Sequence, residues 1–368
     1  MYRVSAVPAP QLTPRAFTGG CISASMVEAS WRVSLSRGLT AVLVLTGAAC
    51  TRPPPPEPSA PGSQPGAHAA PPAQVLVVAT QDGVPKPVMR QENYRFEAGP
   101  YALEVSPSTG AQILEFSLNG RNVLVAREES PAAFGSTFYP SPQSDWNWPP
   151  PFEWDALPWT VAVTGETLLL QSRTSAKFAL GATQRIRLDG VEGVARIDYS
   201  ITNFGQSARK VAPWQNTRVR PKGLTFFPCS GGALSLSSLE VEPQDGVMWL
   251  AHDPAGFTES KKLFADGREG WVAHVDGDLM FVKVFPDVPP AEQAPNEAEI
   301  EIYVHSSGLF VEVEQQGPYV ELGSGNLTSW CVRWIVRKLP PEIDARPGQE
   351  GLLHFARELA ATARSSRS

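Results

Sequence analysis

The chain has 368 residues, 42% of them apolar and 18% charged, with 31 Lys+Arg against 37 Asp+Glu and a net charge of −6. An acidic balance excludes a partner bound through its phosphate backbone, which requires a basic surface. The 36 prolines, 30 glycines and ten tryptophans are more than a helical bundle or coiled coil carries, and they predict a soluble, loop-rich β protein.

Residues 39–49, LTAVLVLTGAA, form an apolar run that ends at Cys50. The run is well short of the roughly 20 residues a helix needs to span a bilayer. With Arg32 and Arg37 ahead of it, it has the charged and apolar regions of a secretory signal. The small residues before Cys50 resemble a bacterial lipoprotein signal, in which the cysteine is acylated and becomes the new N-terminus. Gly47 stands where that signal has a large aliphatic residue, and a plain cleaved export signal is the alternative reading. A start at Met26 gives the signal its usual length. Residues 51–74 then hold nine prolines in 24 positions, a composition that forms an extended, semi-rigid spacer.

The predicted organisation is therefore a signal region at 1–49, a Pro-rich tether at 50–74, a β domain at 75–340 and a C-terminal helix and tail at 341–368. The expected location is the bacterial cell envelope, with the membrane contacted through the lipid anchor alone. Cys229 and Cys331 are the cysteines left in the body. Their separation leaves a disulfide or two separate thiols open, and neither has the spacing of a zinc ligand.

The β domain reads as short strands in succession. SLNGRNVLV (117–125) places Asn119-Gly120 between apolar runs, a hairpin signal. Residues 135–159 read as one long ordered loop, because prolines 149–151 exclude a regular helix or central strand there. TLLLQSRTS and the alternating VARIDYSI (194–201) follow. WVAHVDGDLMFVKVF (271–285) turns at Asp276-Gly277, and EIEIYVHSS and GLFVEVEQQ come next. SWCVRWIVRK (329–338) sets Trp330, Val332, Trp334 and Val336 on one face, with Arg333 and Arg337 on the other. Such strands without intervening helices predict an all-β, large antiparallel sandwich or barrel. Residues 348–363 alone read as helical.

Three segments concentrate chemistry-bearing side chains. The loop 135–159 carries Asp145, Trp146, Trp148, Trp154 and Trp159, a mixture suited to stacking on sugar rings while carboxylates and amides take the hydroxyls. APWQNTRV brings Trp214, Gln215, Asn216 and Arg218 along one strand. FVEVEQQGP carries Glu312 and Glu314 on one strand face and Gln316 beyond them. Two neighbouring carboxylates can raise one another's pKa. No phosphate-binding, dinucleotide or nucleophile-elbow motif is present, and no metal or cofactor is expected.

The order of ITN–turn–APWQNTR, GWVAHVDGDLMFVKVF, FVEVEQQGPYVELGSG and a final WCVRWIV strand resembles the galactose mutarotase-like (aldose 1-epimerase-like) superfamily. With GSTFYPSPQSDWNWPP, the likeness spans roughly residues 90–340 and points to a bacterial branch. It implies a large antiparallel β-supersandwich whose concave face binds sugars. The family's glutamate base lies in an LExQ segment before a proline, which VEQQGP matches, so the resemblance assigns the base to Glu314. The family's acid histidine falls where this chain has Trp214, and indole cannot donate a proton as imidazolium does.

Three functions follow as expectations: a lipid-anchored carbohydrate-binding protein without mutarotase activity; a sugar epimerase or other sugar-modifying enzyme using Glu314 as base; or a structural or interaction lipoprotein. Anchoring is tested directly by Cys50→Ala, which should move the protein from the membrane to the soluble fraction without altering its fold. Equal membrane partitioning before and after the change would contradict the lipoprotein reading.

Overall fold

Period-two alternation of apolar and polar side chains fixes which face of each strand is buried. The computed structural model describes residues 85–231, 237–239, 241 and 243–366. The expectations for the signal region, Cys50 and the tether lie outside these described residues.

The described strands begin with β1 (Val88–Arg90), β2 (Asn93–Ala98), β3 (Tyr101–Ser106), β4 (Gln112–Leu118) and β5 (Arg121–Asn122). Next come β6 (Ser136–Ser141), β7 (Thr160–Thr164), β8 (Thr167–Gln171), β9 (Leu180–Asp189) and β10 (Val194–Asn203). The middle of the domain supplies β11 (Arg209–Val219), β12 (Gly223–Pro228), β13 (Val247–His252), β14 (Lys261–Ala265) and β15 (Trp271–Asp276). The last are β16 (Leu279–Val284), β17 (Ile300–Val304), β18 (Val311–Gln316), β19 (Val320–Leu322) and β20 (Leu327–Lys338).

They form two antiparallel sheets, the large supersandwich expected. The first has 11 strands, ordered β1-β2-β3-β4-β6-β11-β18-β17-β14, with β5 on β4 and β19 on β11. The second has nine strands, ordered β13-β12-β15-β16-β20-β10-β9-β8-β7. Both sequence-predicted hairpins are present. Asn119 and Gly120 take the positive φ angles of 51° and 74° that a two-residue turn requires, and β15 turns into β16 through Asp276 and Gly277.

The inner faces of the sheets share one apolar core in which Phe116, Phe281 and Trp334 meet. A second cluster lies outside the second sheet, where α1 (Phe152–Asp155) plays no part and α2 (Glu350–Ser365) covers Val282 and Ile335. Leu352, Ala356, Leu359 and Ala363 recur at three- and four-residue spacing along α2 and are buried there.

Residues 135–159 depart from the single loop read in the sequence. Their first part is β6, a central strand of the first sheet. Pro140 is tolerated because Pro213 of β11 stands opposite it, so the rung lacks a donor on both strands. Only past Ser141 does the chain leave the sheet, through a 3-10 turn at Gln143–Asp145 and then α1. Cys229 and Cys331 are both free thiols.

Polar groups also enter the core. Lys283 on β16 is fully buried, donating to Thr217 Oγ1 at 2.6 Å and to the Val313 carbonyl at 2.7 Å. Burial pushes its ammonium well below the usual lysine range.

Trp334 is fully buried, with ring centroids 5.8 Å from Phe116 and 5.3 Å from Phe281. Trp334→Ala should therefore cost about 3–5 kcal/mol through cavity formation, measured by urea denaturation. A loss below about 1 kcal/mol, the size of a surface change, would contradict this packing.

Candidate functional site

The register between β11 and β18 pairs Trp214 with Gln316, Asn216 with Glu314 and Arg218 with Glu312. Alternation turns these six side chains to the outer face of the first sheet and sends Gln215, Thr217, Val313 and Gln315 inward. Neighbouring strands extend the outer face. β17 places Glu301 opposite Glu314, β14 places Lys262 opposite Tyr303, and β6 places Tyr139 opposite Trp214.

Glu314 lies at the centre with 0% exposure. Its Oε2 accepts from the Trp214 indole Nε1 at 2.8 Å and lies 3.1 Å from Lys262 Nζ. The same ammonium is 2.5 Å from Glu301 Oε2 and 5.1 Å from the centroid of the Trp214 ring. Glu301 Oε1 accepts from Ala298 N at 2.9 Å and from Gln316 Nε2 at 2.7 Å. Gln316 Oε1 in turn accepts from Ser141 Oγ. Arg218 donates from Nε to Glu312 Oε1 at 2.9 Å and from Nη1 to Thr137 Oγ1 at 2.7 Å. Glu314 Oε1 and Asn216 Oδ1 are buried acceptors on this face with no hydrogen-bond partner among the described residues.

The electrostatics follow from burial. Desolvation pushes Glu314 and Glu301 above the usual carboxylate range, although Lys262 opposes it. Lys262 moves upward because its two carboxylates outweigh its own desolvation. The ammonium is thus locked in its charged form, and the carboxyls compete for a proton.

Of the residues singled out in the sequence, Trp146, Trp214, Asn216, Arg218, Glu312, Glu314 and Gln316 lie together on this face. Trp146 closes over the face: its Nε1 donates to the Pro140 carbonyl at 2.8 Å, and its ring lies 5.9 Å from Tyr139 and 6.0 Å from Trp214. Gln215 requires correction. Its side chain points into the core, donating to Tyr199 OH and accepting from Gln315 and from Trp334 Nε1 at 3.2 Å. Trp148 also stands apart, 70% exposed in the loop beyond Trp146. Asp145 lies at a shallow cleft bordered by Trp146, Phe178, Arg209 and Lys210, with room for about 10 Å³, and its carboxylate is 3.9 Å from Arg209.

Lys262, Glu301 and Tyr139 were not singled out in the sequence. Alternation in KKLFA and EIEIYV gives the faces of the first two, but only strand pairing brings them to Glu314. Among the described residues no group of three His, Cys, Asp or Glu side chains could hold a metal ion. His252 and His274 instead flank Thr225 Oγ1 at 2.8 and 3.0 Å inside the sandwich, and burial lowers both imidazoles.

A carboxyl with a raised folded-state pKa holds its proton more tightly than in the unfolded chain. Its stabilisation is present at low pH and is lost as pH rises from about 4.3 through the folded-state value. An amide at this position does not titrate, so the stability of Glu314→Gln relative to wild type should increase steadily from about pH 5 to pH 9. Urea denaturation across that range reads the difference directly. A pH-independent difference would mean that Glu314 titrates as an ordinary carboxylate.

Comparison with curated protein sequences finds no match. Among solved structures, the Slr1438 protein from Synechocystis sp. PCC 6803 aligns at 16% identity and TM-score 0.51, covering 71% of this chain and all of that one. A TPR-domain containing protein from Parabacteroides distasonis aligns at 13% identity and TM-score 0.51, covering 70% of this chain and 49% of that one. A putative aldose 1-epimerase from Escherichia coli K12 aligns at 13% identity and TM-score 0.47, covering 67% of this chain and 99% of that one. Identities this low speak to the fold alone. A family model matches residues 134–337, a span that holds β6, β11, β14, β17 and β18 and with them the side chains around Glu314, and the chain belongs to that family, the domain of unknown function DUF4380.

Proposed function

We propose that the protein binds a saccharide without interconverting its anomers, and does so in the bacterial envelope, anchored through an acylated Cys50. The observation that carries this reading is the 2.8 Å hydrogen bond from the Trp214 indole to Glu314 Oε2. Ring opening needs a base and an acid on opposite sides of one sugar. Here the position of the acid holds an indole, and that indole donates into the carboxylate that would be the base. Lys262 occupies the same oxygen. Aromatic rings beside carboxylates, an amide and a guanidinium are the groups that sugar recognition uses.

A second reading, an enzyme with Glu314 as base, draws on the upward shift of Glu314, since a base works best with a pKa near the working pH. The two readings separate experimentally. Tryptophan fluorescence with a glycan panel should show weak saturable quenching, impaired by Trp146→Ala. Proton-exchange NMR on α-glucose and α-galactose should show anomer exchange at the uncatalysed rate, because a positioned acid worth about 10²–10⁴ in rate is missing. Rapid mutarotation abolished by Glu314→Gln would establish the enzyme. Failure of every glycan to bind would favour a structural or interaction role.

A further inference from the structure

The outer face of the first sheet gathers more carboxyl groups than cations. Glu297, Glu301, Glu312 and Glu314 surround Arg218 and Lys262; Glu297 feels Lys262 directly and accepts from Gln143 N at 2.8 Å. Buried carboxylates in excess of their cations are costly unless a further positive group joins them.

The unpartnered atoms mark where such a group would act. Glu314 Oε1 and Asn216 Oδ1 are both buried acceptors without a donor among the described residues. They belong to a directly paired rung of β11 and β18, where side chains start about 4.5–5.5 Å apart. The two side chains therefore start close enough for one small donor group to be placed between them. Lys262 already displays the same recognition at the other oxygen, its ammonium held by Glu301 and Glu314 against the Trp214 ring.

We propose that this face takes the ammonium group of an amino sugar, accepted by Glu314 Oε1 and Asn216 Oδ1 as a second copy of the Lys262 arrangement. The inference rests on the saccharide-binding reading and narrows its ligand class. A metal ion is the other cation to consider, but no three potential ligand side chains converge among the described residues. An anionic sugar would meet the excess carboxylates.

Calorimetry on the full chain with glucosamine, N-acetylglucosamine and glucose tests the proposal, because acetylation removes the charge and leaves the ring. Glucosamine should bind about tenfold to a hundredfold more tightly than N-acetylglucosamine, the range of a charge-assisted hydrogen bond. Glu314→Gln, which keeps the shape of the carboxyl, should abolish that preference, so that glucosamine and N-acetylglucosamine bind alike. Asn216→Leu should reduce it and serves as the second variant should Glu314→Gln fail to fold. Equal binding of the three sugars, or a preference that survives both substitutions, would overturn the amine while leaving saccharide binding intact. Displacement of glucosamine by Mg²⁺ or Ca²⁺ would overturn it in favour of a metal. Absence of binding by all three sugars and by every other glycan tried would remove both readings together.

Discussion

Everything on the outer face depends on the antiparallel register of β11 and β18. With Asn216 opposite Glu314, Trp214 and Arg218 fall on either side of one carboxylate row, and the indole reaches Glu314. A slip of one residue would exchange the two faces. Gln215 and Thr217 would then take the outer face, while Trp214, Asn216 and Arg218 would enter the core. The inward face of β11 resists that slip, since Gln215 is tied to Tyr199, Gln315 and Trp334 and Thr217 to Ser136 and Lys283. Polar contacts of this kind inside a sandwich add little net stability but penalise alternatives heavily, since each displaced group loses its partner in a dry interior.

The network around Glu314 has a definite directionality. Glu301 is fully engaged, with two donors on one oxygen and Lys262 on the other, so its negative charge is well supported. Glu314 is engaged on one oxygen only. Without a ligand, a proton shared by the pair is therefore better placed on Glu314, whose free oxygen can carry it without breaking a hydrogen bond and gives it up when a cation takes its place. The asymmetry arises from strand position: Glu301 sits next to the Ala298 amide and Gln316, whereas the free oxygen of Glu314 has only Asn216 across the rung.

Much of the architecture was legible in local pattern. Alternation in 329–338 correctly placed Trp330, Val332, Trp334 and Val336 inside, and the Asn119-Gly120 and Asp276-Gly277 turns lie where their chemistry demands. The helix read at 348–363 is α2 within two residues at each end. What local pattern missed has a common cause. Lys262 and Glu301 stand 52 and 13 residues from Glu314, and only the strand order β18-β17-β14 makes them neighbours. Gln215 was misread because a glutamine beside a tryptophan, an asparagine and an arginine looks like part of one polar cluster, when alternation alone assigns it to the opposite face. Pro140 concealed β6 because its tolerance depends on Pro213, a partner 73 positions away.

The buried Lys283 has a practical consequence. Its amine lies between the sheets, shifted towards the neutral form and so intrinsically ready to react, yet no reagent can reach it while the sandwich is closed. Lys222 and Lys338, with side chains 60% and 72% exposed, acylate from the folded state. Lys283 acquires an acyl group only when β16 separates from β11 and β18. Its labelling rate, followed by mass spectrometry beside that of the exposed lysines, is a built-in clock for the parting of the two sheets.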